Sequence, residues 1–104
     1  MTIDLTQWIV NRHMDLDGNY VFGHPMLFGR KEDALKFAVE DRSRFLQSKQ
    51  GETFLDWYDD TDEARAAFLD ALNETGHAVM DDDMMRRRVY SLDTALATLD
   101  ISVK

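Results

Sequence analysis

Apolar residues change their spacing along this chain, and the change constrains the class of fold it can reach. In the first 28 residues they come in short β-prone clusters: Trp8-Ile9-Val10, Tyr20-Val21-Phe22 and Met26-Leu27-Phe28. Asp17-Gly18 lies between the first two clusters. A β-prone run, an Asp-Gly pair and a second β-prone run predict a hairpin, because Asp-Gly suits the left-handed positions of a tight turn. Gly23-His24-Pro25 breaks the second strand before the third. Pro25 is the only proline, and it places this part at an edge or a bend.

From about Lys31 the stride becomes helical and holds to Ser48. Leu35, Ala38, Phe45 and Leu46 fall on one stripe, with Arg42 in the same row. Gly29 is the expected N-cap, with Glu32 and Asp33 in the favourable first turn, and Gly51 is the expected stop. Phe54, Trp57 and Tyr58 then stand at i, i+3 and i+4, which favours a short helix over the alternative of a strand. Asp59-Asp60-Thr61-Asp62-Glu63 opens the clearest helix, capped by Asp60 or Thr61. Its apolar stripe is Ala64, Ala67, Phe68, Ala71 and Leu72, and Gly76 ends it.

His77 to Met80 reads as a strand. Met84 to Tyr90 reads as its hairpin partner or the start of a helix. Ser91 is a candidate cap for a helix over Leu92 to Leu99, and Ile101 and Val103 then form a final strand. The expected fold class is α+β. A small antiparallel sheet, built from an N-terminal hairpin or meander and a C-terminal strand, packs against two main helices. With 104 residues, no linker and no internal repeat, residues 1–104 are expected to form a single domain.

Composition narrows the chemistry. An apolar share of 44% is enough for one modest core. There is no cysteine, so a disulfide scaffold, a thiolate nucleophile and a thiolate zinc site are all excluded. The opening Met1-Thr2-Ile3-Asp4-Leu5 has no basic region ahead of an apolar run. No apolar run approaches the length of a membrane span. The expectation is a cytoplasmic protein.

Charge is unevenly distributed. The formal net charge is -8. Between Asp56 and Asp83 the chain carries ten acids and a single base, Arg65, whereas the rest carries ten acids and eleven bases. All the excess therefore lies in one segment. Such a field disfavours direct contact with nucleic acid or an anionic membrane, and favours a basic protein surface. Arg86-Arg87-Arg88 follows directly. As a strand, it sends Arg87 to the face opposite Arg86 and Arg88, and pairing with the preceding acidic turn is expected.

Signatures of catalysis are missing. The chain has no G-x-S-x-G, phosphate loop, dinucleotide fingerprint or H-E-x-x-H. Asp15-Leu16-Asp17-Gly18-Asn19 has the look of a calcium loop, but the first and twelfth loop positions would hold His13 and His24 where oxygen ligands are needed. His13, His24 and His77 are not spaced as zinc ligands. No catalytic residue, metal ligand or cofactor is assigned.

The strongest functional cluster is Phe54, Trp57 and Tyr58 beside Asp56, Asp59 and Asp60, since aromatic anchors rimmed by charge compose a binding hot spot. The leading expectation is a non-enzymatic protein-binding protein whose contact residues are Asp56, Trp57, Tyr58, Asp59, Asp60, Asp62, Glu63, Asp81, Asp82 and Asp83. A concrete version is an inhibitor that fills a nucleic-acid channel by imitating phosphate charge, as small phage anti-restriction and anti-CRISPR proteins do. That analogy rests on size and charge. A second expectation is a structural or assembly module that acts as a homodimer. A third is a metalloprotein or enzyme built on the histidines and aspartates.

Overall fold

The computed structural model describes residues 2–16, 19–55, 58–81 and 86–100. Along the chain run β1 (Thr2–Leu16), β2 (Asn19–Phe22), β3 (Met26–Phe28), α1 (Lys31–Gln47), a 3-10 helix (Lys49–Phe54), α2 (Asp62–Thr75), β4 (His77–Asp81) and β5 (Arg87–Asp100). The strands form one antiparallel sheet in the order β2-β1-β5-β4, with β3 also paired to β1. This is the expected α+β arrangement of a small sheet and two main helices.

Alternation explains which face the helices cover. Successive side chains of a strand point to opposite sides. Val10 and Met14 of β1, Tyr90 of β5, and Ala78 and Met80 of β4 are buried, and α1 and α2 lie over this side. His77, Val79 and Asp81 face the open side. The two helices share a core whose largest fully buried side chains are Tyr90, Phe54, Leu46, Leu72 and Val10. Phe45 meets Phe54 edge-on at 5.2 Å, and Phe68 meets Tyr90 in the same way at 5.2 Å, a favoured geometry for aromatic pairs.

The N-terminal hairpin is present. Leu16 pairs with Asn19, leaving a two-residue connection. Asp17 and Gly18 themselves lie outside the described residues. The strands are longer than their β-prone cores. β1 and β5 pair continuously from Thr2 opposite Asp100 to Asp15 opposite Arg87. The helix expected over Leu92 to Leu99 is therefore a strand. Ala and Leu favour a helix in isolation, but here the backbone groups of alternate residues bond to the β1 ladder, and such tertiary pairing overrides weak local propensity. Ile101 and Val103 lie outside the described residues.

Helix ends differ from expectation on one side of the molecule. α1 begins at Lys31 after Arg30 as N-cap, with no side-chain cap bond, so Gly29 is not the cap. Ser48 closes α1: its N–H and hydroxyl both donate to Phe45 O, at 3.0 and 2.6 Å. The hydroxyl in turn accepts from Gly51 N–H at 3.3 Å. Gly51 thus sits in the 3-10 helix rather than ending α1. This short helix spans Lys49–Phe54, earlier than the stretch read from the aromatic spacing. α2 follows its signals. Thr61 Oγ1 accepts from Ala64 N–H at 3.2 Å, and Gly76, at φ 77°, donates to Leu72 O at 3.0 Å, as a left-handed C-cap should.

β3 reaches no further along β1 than Trp8, and β4 no further along β5 than Ser91. Past these points β1 and β5 continue as a two-stranded ribbon. The molecule is accordingly long, 60 × 31 × 22 Å.

Candidate functional site

The site is built around the N-terminal half of α2 and the residues leading into it. Tyr58 N–H donates to Phe54 O at 2.8 Å, at the end of the 3-10 helix. The Tyr58 hydroxyl accepts from Asp81 N–H at 3.0 Å. That bond ties the entrance of α2 to the end of β4, so two acidic stretches far apart in sequence become neighbours.

The acids in these stretches have different roles. Asp60 is engaged internally: it accepts from Arg65 Nε at 2.9 Å, Ser43 Oγ at 2.9 Å and Arg42 at 3.3 Å. The Arg65 hydrogen bond, reinforced by Ser43 and the charges of Arg65 and Arg42, outweighs its partial burial and holds its carboxyl below the usual range. Asp59 lends its carbonyl to Arg42 at 2.8 Å and leaves its residue exposed. Asp62 approaches Arg65 at 3.4 Å on the surface, a contact of the kind that contributes little. Glu63, Asp70 and Glu74 are exposed along α2, and Asp81 pairs with Arg87 Nε at 2.8 Å. Asp56, Trp57, Asp82 and Asp83 lie outside the described residues.

α2 is flanked by two hollows. One, of about 380 Å³, opens between α2 and β4, with Ala64, Ala67, Ala71, Phe68 and Met80 as its apolar walls and Tyr58, Asp59 and Arg42 at its rim. The hollow exists because three positions of the α2 stripe are alanine: only Phe68 and Leu72 reach the core, and the alanines stop short. The second, of about 510 Å³, lies between α1 and α2. Leu35, Val39 and Leu69 floor it, and Glu32, Glu40, Asp70 and Lys36 stand around it. α2 is thus an acidic ridge between two apolar depressions.

Beneath this surface lies a charged cluster that sequence reasoning missed. Asp41 of α1 is buried between α1 and the sheet and accepts from Arg12, from Arg88 at 2.9 Å and from the Tyr90 hydroxyl at 2.7 Å. Arg88 also lies 4.7 Å from the Phe45 ring centroid. Burial works to raise the Asp41 carboxyl pKa. The hydrogen bonds from Tyr90, Arg12 and Arg88 overcome it and hold the group below its ordinary value. Burial pushes the Tyr90 hydroxyl well above its ordinary value, so it stays a donor. The neighbouring Arg42 is also buried, and burial lowers its pKa against the opposing pull of Asp60. One signal pointed to this cluster: Asp41 and Arg42 interrupt the otherwise apolar row of α1. The expected pairing of the arginine run with the acidic turn holds for Arg87 and Asp81, while Arg88 turns to the covered face.

Among the described residues, no three His, Asp or Glu side chains gather as a metal site would require, and no helix is long and apolar enough to cross a membrane. No family model, curated protein or solved structure matches the chain.

Proposed function

We propose that this chain is a non-enzymatic protein-binding module that docks the acidic ridge of α2 against a basic surface of another protein. The observation that carries this reading is the placement of exposed Asp59 and Asp70 on the rims of two apolar depressions, with Asp62, Glu63 and Glu74 exposed on the helix between them. Hot spots combine an apolar anchor site with a charged rim. The hollow beside Tyr58 and Asp59 suits a lysine or arginine: its methylene stem packs on alanine and Phe68, and its charged head meets Asp59.

The specific form of the proposal is an inhibitor of a nucleic-acid-binding protein. From Asp62 to Glu74 the helix rises about 18 Å. Four acids over that length stand on average about 6 Å apart, wider than the roughly 3.4 Å per phosphate of one DNA strand but of the same order.

The test is affinity capture from the native host lysate at about 50 and about 500 mM salt, where screening separates charge-driven from apolar contacts. The unmodified chain retains a basic protein at low salt and releases it at high salt. The triple variant Asp59→Lys, Asp62→Lys, Glu63→Lys retains none. If the captured protein binds DNA, the chain competes with a DNA duplex for it. Capture that ignores both salt and the charge reversal would sink the reading.

A further inference from the structure

The outer half of β5 has an edge that nothing covers among the described residues. β4 stops at Ser91, and Leu92 N–H donates to Gly76 O at 2.9 Å. From residue 93 onward β5 is paired on one side only, with β1. Alternate residues of a strand direct their N–H and C=O to the same side. Leu92 directs its N–H toward the β4 side, so Thr94, Leu96 and Thr98 present theirs to the same open edge. From Thr94 to Leu99 this stretch has no charge, no proline and no irregularity in its register, and its acids, Asp93 and Asp100, stand only at its ends. Leu96 is 68% exposed.

We propose that two copies of this chain join edge to edge through this stretch, with a two-fold axis at Leu96. The sequence here reads Leu92-Asp93-Thr94-Ala95-Leu96-Ala97-Thr98-Leu99-Asp100. Thr94 to Thr98 is the same in both directions. Antiparallel pairing about Leu96 sets threonine opposite threonine, alanine opposite alanine and Leu96 opposite its own copy. Asp93 then falls opposite Leu99, and Asp100 opposite Leu92. No acid opposes an acid, which matters for self-association of a chain with net charge -8. Thr94, Leu96 and Thr98 are the residues whose backbone groups face the edge, so this register turns each into a hydrogen-bonded pair. The joint ends at Leu92, whose N–H is already bound to Gly76.

The free edge of β1 does not offer the same solution. Its nearest symmetric register, Thr2-Ile3-Asp4-Leu5-Thr6, sets Asp4 against Asp4. Pairing the β1 edge of one copy with the β5 edge of the next is heterologous and propagates rather than closes. The β5 joint closes, and it converts two marginal two-stranded ribbons into one four-stranded sheet. The contact is small, so the dimer belongs to the weak, concentration-dependent class.

Sedimentation equilibrium from about 1 μM to about 1 mM tests this in the range where small interfaces associate. The mass is expected to rise from 12.1 kDa toward twice that value. Leu96→Lys sets charge against charge on the axis, and Leu96→Pro removes an outward N–H without touching the β1 ladder. Each is expected to weaken association at least about tenfold. Because the chain has no cysteine, Leu96→Cys with a short bis-maleimide reports the axis directly and is expected to give a cross-linked dimer. Leu27→Cys, away from the edge, is expected to give none. A chain that stays at 12.1 kDa throughout overturns the proposal. So does a dimer that both Leu96→Lys and Leu96→Pro leave intact, or one in which Leu27→Cys cross-links and Leu96→Cys does not.

Discussion

Asp41 is the residue whose environment is most demanding. It is 6% exposed and accepts hydrogen bonds from two guanidinium groups and a buried phenol. Breaking a buried ion cluster by removing one member leaves uncompensated charge behind. Asp41→Asn is expected to destabilise the fold by about 3–5 kcal/mol in denaturant titrations, while leaving the surface acids of α2 in place. Asp60 answers a different question, that of pH. The Arg65 hydrogen bond holds its folded pKa below the ordinary aspartate value, so its contribution is fully present above the unfolded pKa of about 4 and is lost as pH falls through the folded pKa. The stability gap between the unmodified chain and Asp60→Asn should therefore be constant from neutral pH to about 5 and shrink below about 4. Denaturation midpoints measured across that range check the sign. A gap that widened with acid would show that Asp60 is not stabilised as a carboxylate.

Packing at the scale of elements depends on one glycine more than on any cap. A Cβ on Gly51 would stand 1.9 Å from Phe45 O, and that oxygen belongs to backbone. The 3-10 helix passes so close to the end of α1 because Ser48 bonds both sides of the junction. Gly51→Ala is expected to lose at least about 1–3 kcal/mol through overpacking, whereas Gly29→Ala, with open space around it, should leave the midpoint nearly unchanged. Sequence signals read as a helix stop at Gly51 were thus a close-approach requirement instead. The same limit explains β5. Leu92, Ala95, Leu96 and Leu99 stand at i, i+3, i+4 and i+7, which is a helical stride, but each is paired in register with β1. Local spacing carried both possibilities, and the partner strand selected one. α2 was legible because its signals are local: Thr61 caps it, its stripe faces inward, and Gly76 turns the chain.

For the molecule as a whole, the long axis separates a packed body from the β1–β5 ribbon. Stability should be uneven along it, since local opening follows the density of buried contacts. Amide exchange is expected to be slow at Val10, Met14 and Tyr90 and fast over 3–7 and 94–98 in dilute solution. At millimolar concentration edge-to-edge pairing of two copies adds a specific change: the amides of Thr94, Leu96 and Thr98 slow down, and those of Ala95 and Ala97, which face β1, respond less. Hydrogen exchange read by NMR at two concentrations separates these outcomes. Uniform protection across the ribbon at both concentrations would contradict the division into body and ribbon.

Among the ten residues singled out from sequence, Tyr58, Asp59, Asp60, Asp62, Glu63 and Asp81 fall around the entrance of α2, and the other four lie outside the described residues. Their chemistry was readable because charge is a property of residues counted one by one. Their separate uses were not. Asp60 turns inward to Arg65, Arg42 and Ser43, while Asp59 and Glu63 stay outside, and that choice depends on where α1 lies relative to α2. The sequence by itself determined the α+β class, the N-terminal hairpin, the bounds of α2 and the confinement of acidity to one segment, all of which follow from local propensity, period and count. Only the tertiary structure decided that residues 92–100 are a strand, that Asp41 is buried beneath three cationic and phenolic donors, and that Tyr58 joins Asp81. Each of these rests on a partner tens of residues away, and the local order of residues does not specify such a partner, even where Asp41 and Arg42 break the apolar row of α1.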